Sequence, residues 1–272
     1  MTGVLDPQGP VAAAERLILF NAAGIMLVVV VPVIMMAFAF AWWYRESNAR
    51  AVRHPDFSYS GRVELVVWAI PAMIVILLAG VAWIGSHALD PKAPLAGAGK
   101  PLSIQVVALD WKWLFIYPDA GIAVVDDLAV PLGSSVDLSI TSATVMNAFF
   151  VPQLGSMIYA MPGMTTHLNL RADRAGDYPG LSSHFSGGGF SDMQFTVHAL
   201  PPARFAAWLA TARSRRASLG PAALRSLSRP DARPPPQTYG SVDAGLFAAI
   251  VRDSAPDRSQ PDAPHPAREE RP

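Results

Sequence analysis

The side chains most often used for metal binding and covalent chemistry are histidine and cysteine. This chain of 272 residues has six histidines and no cysteine. Without cysteine, thiolate nucleophiles, disulfides, iron-sulfur clusters and zinc-thiolate sites are excluded. His184 and Met193 offer ligand types that copper accepts. A mononuclear blue-copper site built on them would lack its cysteine ligand, so we interpret the histidines outside the apolar segments as surface residues.

Composition also argues against two broader classes of function. The glycine run at 187–189 lacks the lysine and the helix start of a phosphate-binding loop, which leaves a soluble enzyme as the weakest interpretation. The chain carries 21 Lys and Arg against 21 Asp and Glu, so it lacks the basic surface that nucleic-acid binding requires. Instead, 51% of the residues are hydrophobic and only 15% are charged.

Two long apolar segments near the N-terminus predict a helical hairpin that spans a membrane. Residues 17–44 contain no charged side chain, and residues 63–84 contain only Glu64. Each segment is long enough to cross a hydrocarbon layer of roughly 30 Å. A cleaved signal peptide is the alternative for the first segment, but the apolar run is longer than a usual signal-peptide core.

The positions of the basic residues predict the orientation of this hairpin. Four arginines lie in the 45–62 loop, whereas the flanks outside the two segments hold Arg16, Lys92 and Lys100. Since positive residues are retained inside, we expect a cytoplasmic loop and both termini on the outer face. The predicted location is the plasma (inner) membrane, with the termini in the periplasm.

The pattern changes after the second apolar segment, where alternation with a period of two predicts β-strands. Short strands at this spacing favour a small sandwich or barrel. The candidate strands are residues 103–109, 122–130, 135–140, 144–151, 165–172 and 192–199. Short helices are predicted at 202–213 and 243–251.

These features give a membrane-anchored α+β chain, in which a transmembrane helical hairpin precedes a β-sandwich or barrel and short C-terminal helices. The predicted order is an outer N-terminal segment at 1–16, transmembrane helices at 17–44 and 63–84, a cytoplasmic loop at 45–62, a linker at 85–101, a β-domain at 102–200, a C-terminal helical segment with a Pro-rich linker at 201–252, and a disordered tail at 253–272.

Several stretches resemble subunit II of haem-copper oxidases, the cytochrome c oxidase subunit II family. They are the start of the second apolar segment at 63–71, the aromatic run at 110–118, the stretches at 145–155 and 159–164, and the glycine-rich loop at 180–193. Residues 4–7 also resemble the start of a subunit in this family, and the resemblance extends over about residues 4–212. The resemblance implies that the β-domain is cupredoxin-like.

The resemblance also locates the positions that hold a dinuclear copper centre in the cytochrome c branch of the family. There the ligands are two cysteines, two histidines, a methionine and a backbone carbonyl. The corresponding residues here are Ser182 and Ser186, Asn147 and Phe190, Met193, and the carbonyl-donating position His184. Hydroxyls cannot replace bridging thiolates and a phenyl ring cannot coordinate, so we expect no metal in this chain.

Loss of this centre favours the cytochrome bo-type ubiquinol oxidase branch. Membership of that branch implies a proton-pumping complex that oxidises ubiquinol and reduces oxygen to water. The resemblance places the haems, the oxygen-reducing copper and the quinol site in subunit I, so neither a catalytic residue nor a cofactor is expected in this chain. The expected partners are subunits I, III and IV and membrane lipid, with no cytochrome c and no nucleic acid.

Glu64 is the candidate proton-entry residue. An ionisable group at a membrane boundary is costly enough to suggest a function. In the family that this chain resembles, the glutamate that matches Glu64 lies at the mouth of a proton path into subunit I. The alternative is a carboxylate at water level that pairs with Arg62 or Arg53.

Two alternative functions are less favoured. Subunit II of a cytochrome c oxidase is disfavoured because every cysteine is absent. A hairpin-anchored, cupredoxin-like binding or scaffold protein outside any oxidase would share the same elements. Trp111 and Trp113 could be relics of a cytochrome c entry route, but without copper beside them packing is their expected role.

Overall fold

Two long helices begin the chain in the computed structural model, which describes residues 3–52, 55, 59–230 and 237–255. Helix α1 is Pro10–Trp43 and helix α2 is Gly61–Ala88. The most apolar 18-residue window of each has a mean hydropathy of 2.7, and none of it is buried within the chain. A helix that is apolar all round and not covered by its own chain is typical of a membrane span.

Helix α1 begins at Pro10, seven residues before the apolar segment predicted at 17–44. Proline suits the first turn of a helix, where the N–H group has no partner within the helix. Val11 and Ala12 in this turn are buried, and Val11 lies against Gly155 of the β-domain. The start of α1 therefore belongs to the domain surface, and only the later turns form the apolar span.

The β-domain consists of two sheets packed face to face. The strands that begin it are β1 Leu102–Leu109, β2 Lys112–Tyr117, β3 Ile122–Val125, β4 Asp127–Pro131, β5 Val136–Ser142, β6 Asn147–Phe150, β7 Ile158–Ala160, β8 Thr166–Leu170, β9 Gly176–Ser182 and β10 Gln194–Leu200. The elements that follow are α3 Pro202–Arg213, β11 Ser218–Leu219, α4 Pro221–Leu227, β12 Thr238–Tyr239, β13 Ser241–Val242 and α5 Leu246–Asp253.

The sheets combine parallel and antiparallel pairs. One sheet has the order β12-β3-β2-β1-β5-β8 and the other has the order β4-β10-β9-β6-β7. The β1–β5 and β4–β10 pairs are parallel, and each needs a connection that crosses over between the two strands. The remaining pairs within these two sheets are antiparallel. This arrangement is a sandwich with crossover connections.

An aromatic cluster fills the core between the sheets. Trp113 and Phe149 meet edge to face with ring centroids 5.3 Å apart, and Phe149 stacks on Phe195 at 4.9 Å. Phe115 lies 5.3 Å from Phe195. Such pairs add to the free energy gained from burying the rings, so this cluster holds the two sheets in register.

We expect Gly180→Ala to lower the free energy of unfolding by about 1–3 kcal/mol, because it overpacks this cluster. Gly180 lies opposite Phe195 in the β9–β10 register, and a Cβ at Gly180 would lie 2.2 Å from the Phe195 ring. Chemical unfolding followed by tryptophan fluorescence measures the loss. Gly176→Ala is the control, because the nearest atoms to its Cβ would belong to the Tyr178 side chain at 3.6 Å or more, an ordinary contact distance. Equal losses in both variants would contradict this explanation.

The C-terminal segment forms a second layer on the outer face of the six-stranded sheet. The residues of this second core are Val107, Leu109, Leu114, Ile116, Ala123, Val125, Leu219, Leu227, Tyr239, Leu246 and Ile250. Buried Lys112 donates hydrogen bonds from Nζ to the carbonyls of Leu227 and Arg229, both at 2.9 Å. Its positive charge interacts favourably with the negative C-terminal end of the α4 helix dipole. Both faces of β2 are consequently covered.

Residues 201–252, predicted as a helical segment with a Pro-rich linker, contain helices α3, α4 and α5 and also three short strands. Strand β12 pairs with β3 at the edge of the six-stranded sheet, and β11 pairs with β13. These strands have two residues each, which is too short for a detectable alternation of apolar and polar residues. Most of the predicted tail, from residue 256 onward, lies outside the described residues, as do residues 231–236 of the Pro-rich linker.

Candidate functional site

The positions that the resemblance assigns to copper lie at one end of the sandwich. Asn147 begins β6, Ser182 ends β9 and Met193 immediately precedes β10. Beyond the other end of β6, the backbone carbonyl of Gln153 accepts a hydrogen bond from the Gln8 amide at 2.8 Å. The site therefore lies at the end of the sandwich opposite to the one that contacts the membrane hairpin.

Four of the six positions are in direct contact. The Ser182 hydroxyl lies 3.3 Å from the Asn147 side-chain oxygen and 3.4 Å from the His184 carbonyl oxygen. The Ser182 amide donates to the Met193 carbonyl at 3.1 Å. Asn147, Ser182 and Met193 are nearly inaccessible, with 1%, 3% and 1% exposure. The fold thus brings residues far apart in sequence together at one buried point.

The other two positions lie on the loop between β9 and β10. The Ser186 hydroxyl oxygen is buried and has no hydrogen-bond partner in the part of the chain that the structure describes. The Phe190 ring packs edge to face against Phe185, with centroids 5.7 Å apart. Neither side chain offers this loop a strong metal ligand.

Trp111 covers this loop, a role that the sequence did not reveal. Its Nε1 donates to the Ser186 carbonyl at 3.2 Å, and a Cβ on Gly189 would lie 2.3 Å from its ring. Trp111 also adopts a φ of 61°, a left-handed conformation that is uncommon for a large side chain. The glycine run at 187–189 therefore provides room for an indole ring and is not a phosphate-binding loop.

The residues present do not fit a dinuclear copper centre. Its bridging ligands must be thiolates, whereas Ser182 carries a hydroxyl that is already hydrogen-bonded to Asn147. The phenyl ring of Phe190 has no lone pair to donate. The His184 ring packs edge to face on Tyr159 at 5.9 Å. Among residues 3–52, 55, 59–230 and 237–255, no group of three or more His, Asp or Glu is placed to hold a metal ion.

The other described histidines have partners within the chain. His198 lies between two carboxylates, with Nε2 2.7 Å from Asp127 and Nδ1 2.6 Å from Asp177. His167 lies 3.9 Å from Asp137, and Nδ1 of His87 lies 2.9 Å from the Trp83 carbonyl. His54 and His265 fall outside the described residues.

Glu64 lies in the first turn of α2 and is exposed on the surface of this chain. A carboxylate there interacts favourably with the positive end of the helix dipole. The structure shows no ion pair between Glu64 and Arg62 in the described ranges, and Arg53 lies outside them. The Glu64 carboxylate is therefore available to another subunit or to water.

Two apolar helices that carry a cupredoxin-like sandwich define a chain of the kind found as subunit II of haem-copper oxidases. The family model described as "Cytochrome C oxidase subunit II, periplasmic domain" matches residues 119–200. The chain is 45% identical over 248 residues to cytochrome bo(3) ubiquinol oxidase subunit 2 of Pseudomonas aeruginosa, covering 91% of this chain and 75% of that one. It is 44% identical over 250 residues to ubiquinol oxidase subunit 2 of Acetobacter aceti, covering 91% and 81%.

The chain therefore belongs to the ubiquinol oxidase subunit 2 family. The periplasmic domain of subunit II of cytochrome oxidase from Bradyrhizobium japonicum is a similar solved structure, with a TM-score of 0.40 and 23% identity over 43% of this chain and 96% of that one. The predicted family and the predicted fold class are confirmed, and the chain is a membrane-anchored protein. The family assignment favours an oxidase subunit over a scaffold protein outside any oxidase.

Proposed function

We propose that this chain is the non-redox subunit II of a proton-pumping ubiquinol oxidase. The observation that carries the proposal is an intact cupredoxin-like domain whose copper positions hold a hydrogen-bonded Ser182, a phenyl ring at Phe190 and no cysteine. An oxidase whose subunit II lacks the copper relay cannot receive electrons from cytochrome c through that domain. Electrons would then enter from ubiquinol in the membrane part and reduce oxygen to water.

The cofactors and partners of the complex follow from this assignment. Haems, the oxygen-reducing copper and the quinol site would belong to subunit I, while this chain contributes surfaces that pack on subunits I, III and IV and on lipid. The outward-facing apolar side chains of α1 and α2 support this role, since they have no cover within the chain. Pro71 within α2 is tolerated where neighbouring helices complete the packing.

The contacts of the hairpin support a periplasmic domain. Ser156 in the β-domain donates a hydrogen bond to Glu15 near the start of α1, and the Asn169 amide donates to the Pro91 carbonyl just after α2 at 2.9 Å. The outer ends of both helices therefore lie on the same side as the domain. With the arginine-rich loop in the cytoplasm, that side is the periplasm.

The proposal is tested on the complex purified through a tag on this chain. We expect a haem spectrum, oxygen uptake with ubiquinol and none with reduced cytochrome c. Copper analysis should show no dinuclear centre in addition to the oxygen-reducing copper. A haem-free preparation that is inactive with both donors would refute the proposal and favour a scaffold protein.

Glu64→Gln should slow ubiquinol-driven oxygen uptake roughly ten-fold, a barrier increase of about 1.4 kcal/mol, if Glu64 delivers protons. The amide keeps the size of the side chain but cannot exchange a proton. The measurement is turnover against pH, together with the number of protons pumped per electron in vesicles. Glu46→Gln is a matched control, because Glu46 is also an exposed carboxylate near the hairpin loop. Unchanged turnover and pumping in Glu64→Gln would exclude the proton role.

A further inference from the structure

We propose that two straps hold the β-domain in one fixed orientation on the membrane hairpin, and that both are fastened at Arg171 and Asp173. The N-terminal strap is residues 3–9, which lead into α1. The linker strap is residues 89–101, which lead from α2 into β1. A linker containing proline and glycine would ordinarily allow a domain to move. The contacts of these two segments therefore determine whether the β-domain keeps one orientation relative to the hairpin.

The N-terminal strap lies in a fitted groove on the domain. The Gln8 amide donates to the Gln153 carbonyl at 2.8 Å, and the Gln8 carbonyl accepts from the Asp173 amide at 2.9 Å. Gly9 follows, where a Cβ would lie only 2.3 Å from the Arg171 carbonyl oxygen. Because backbone atoms surround this position, a larger residue at Gly9 would force the strap off the domain.

The first turn of α1 continues the same contact. Val11 packs against Gly155, where an added Cβ would lie 3.1 Å from the Val11 side chain. Ala12 is fully buried, and Glu15 accepts a hydrogen bond from Ser156. The helix therefore leaves the domain at a direction fixed by side-chain packing.

The linker strap also contacts the domain close to Arg171. The Asn169 amide on edge strand β8 donates to the Pro91 carbonyl at 2.9 Å. Ala98 donates from its amide to the Gly133 carbonyl at 3.0 Å and accepts from the Ser134 hydroxyl at 3.1 Å. The strap, part of the linker predicted at 85–101, is thus hydrogen-bonded to the domain near both of its ends.

Arg171 and Asp173 connect the two straps. The Arg171 guanidinium donates to the Ala96 carbonyl of the linker strap and forms a two-point ion pair with Asp173, at 2.7 and 3.2 Å. The backbone of the same two residues contacts Gln8 and Gly9 of the N-terminal strap. Two-point pairs of this kind fix geometry as well as charge, so the ion pair joins the two residues that hold the linker strap through the Arg171 side chain and the N-terminal strap through their backbone.

A fixed orientation of the β-domain on the hairpin prepares the chain for binding to another subunit. Hairpin and domain present a single rigid surface, so no orientational freedom between them is lost on association. The inference concerns geometry within this chain and does not depend on the identity of the partner.

Distances between spin labels, measured on the full-length chain in nanodiscs, test whether the β-domain keeps one orientation relative to the hairpin. The chain has no cysteine, so Asn21→Cys in α1 and Ala206→Cys in α3 introduce the only labelling sites. We expect a narrow distance distribution in this background. Arg171→Gln and, separately, Gly9→Val should broaden it at least about two-fold, because a released segment behaves as a flexible linker.

Arg174→Gln is the matched control, since Arg174 is a nearby exposed arginine whose side chain holds neither strap. Its distribution should stay narrow. Near-ultraviolet circular dichroism of each variant checks that the sandwich remains folded. If Arg171→Gln unfolds the domain, Gly9→Val alone provides the test. Narrow distributions in Arg171→Gln and Gly9→Val, or a broad one in the background chain, would overturn the proposal.

Discussion

The variant with Asn147→His, Ser182→Cys, Ser186→Cys and Phe190→His is expected to bind two copper ions per chain, whereas the natural chain is expected to bind none. The substitutions supply two bridging thiolates and two imidazoles, the ligand types that hold copper most strongly. Met193 and the His184 carbonyl would complete the set without further change. Copper content and visible thiolate-to-copper absorption of the full-length chain measure the gain.

The geometry already present favours this gain without rebuilding the backbone. The Ser182 hydroxyl lies 3.3 Å from Asn147 and 3.4 Å from the His184 carbonyl, so ligands at these positions would face one point. Ser186 already points its hydroxyl oxygen into a buried position without a described partner. Exchanging that oxygen for sulfur adds little volume and removes an unsatisfied polar atom.

The control carries Asn147→His and Phe190→His with both serines retained. It should bind copper weakly and show no thiolate absorption, because imidazoles alone cannot bridge two metal ions in this arrangement. A folded four-fold variant that takes up no copper would show that the six positions are wrongly assigned. Since the assignment came from resemblance, this experiment tests it independently of oxidase activity.

The strands that alternate regularly were the ones that sequence could predict. Strand β10 covers Gln194–Leu200, close to the predicted 192–199, because one face is in the core and the other is partly exposed. Strand β2 at Lys112–Tyr117 is buried at every position, so its sequence has no alternation. That pattern arises because the C-terminal layer covers its outer face, which is a tertiary effect.

Other differences come from single residues. The predicted strand at 122–130 is divided into β3 and β4 at Asp126, whose φ of 57° interrupts the extended backbone. Strand β9 was not predicted, because Pro179 and Gly180 disfavour a strand by propensity alone. Gly180 is nevertheless required there, since the Phe195 ring occupies the space of its side chain.

The candidate site was predictable as a set of positions but not as a structure. Resemblance indicated which residues should converge, and the contacts of Ser182 with Asn147 and the His184 carbonyl bring three of them together. The position of Trp111 on the loop depends on its left-handed backbone and on Gly189, and no local pattern encodes that contact. The proton role of Glu64 stays a prediction.

Asp126 makes the chain's stability depend on pH in a way that sequence alone does not suggest. Burial raises the pKa of Asp126 from 3.8 to about 7, while the hydrogen bond from the Trp113 amide at 2.7 Å and the charge of Lys112 act in the opposite direction. A raised pKa in the folded state means that the folded chain holds this proton more tightly than the unfolded chain. This contribution to stability is complete below about pH 4 and is lost as the pH rises to about 7.

Asp126→Asn should therefore stabilise the chain more as the pH increases. Asparagine resembles the protonated carboxyl, can accept the same hydrogen bond from Trp113 and tolerates the left-handed backbone. We expect the difference in unfolding free energy between variant and natural chain to grow by about 3 kcal/mol between about pH 5 and about pH 8. Chemical unfolding at the two pH values measures it. Asp119→Asn, at an exposed turn, is the control and should show no such growth. An equal change of the unfolding free energy with pH in the two variants would show that burial does not control the titration of Asp126.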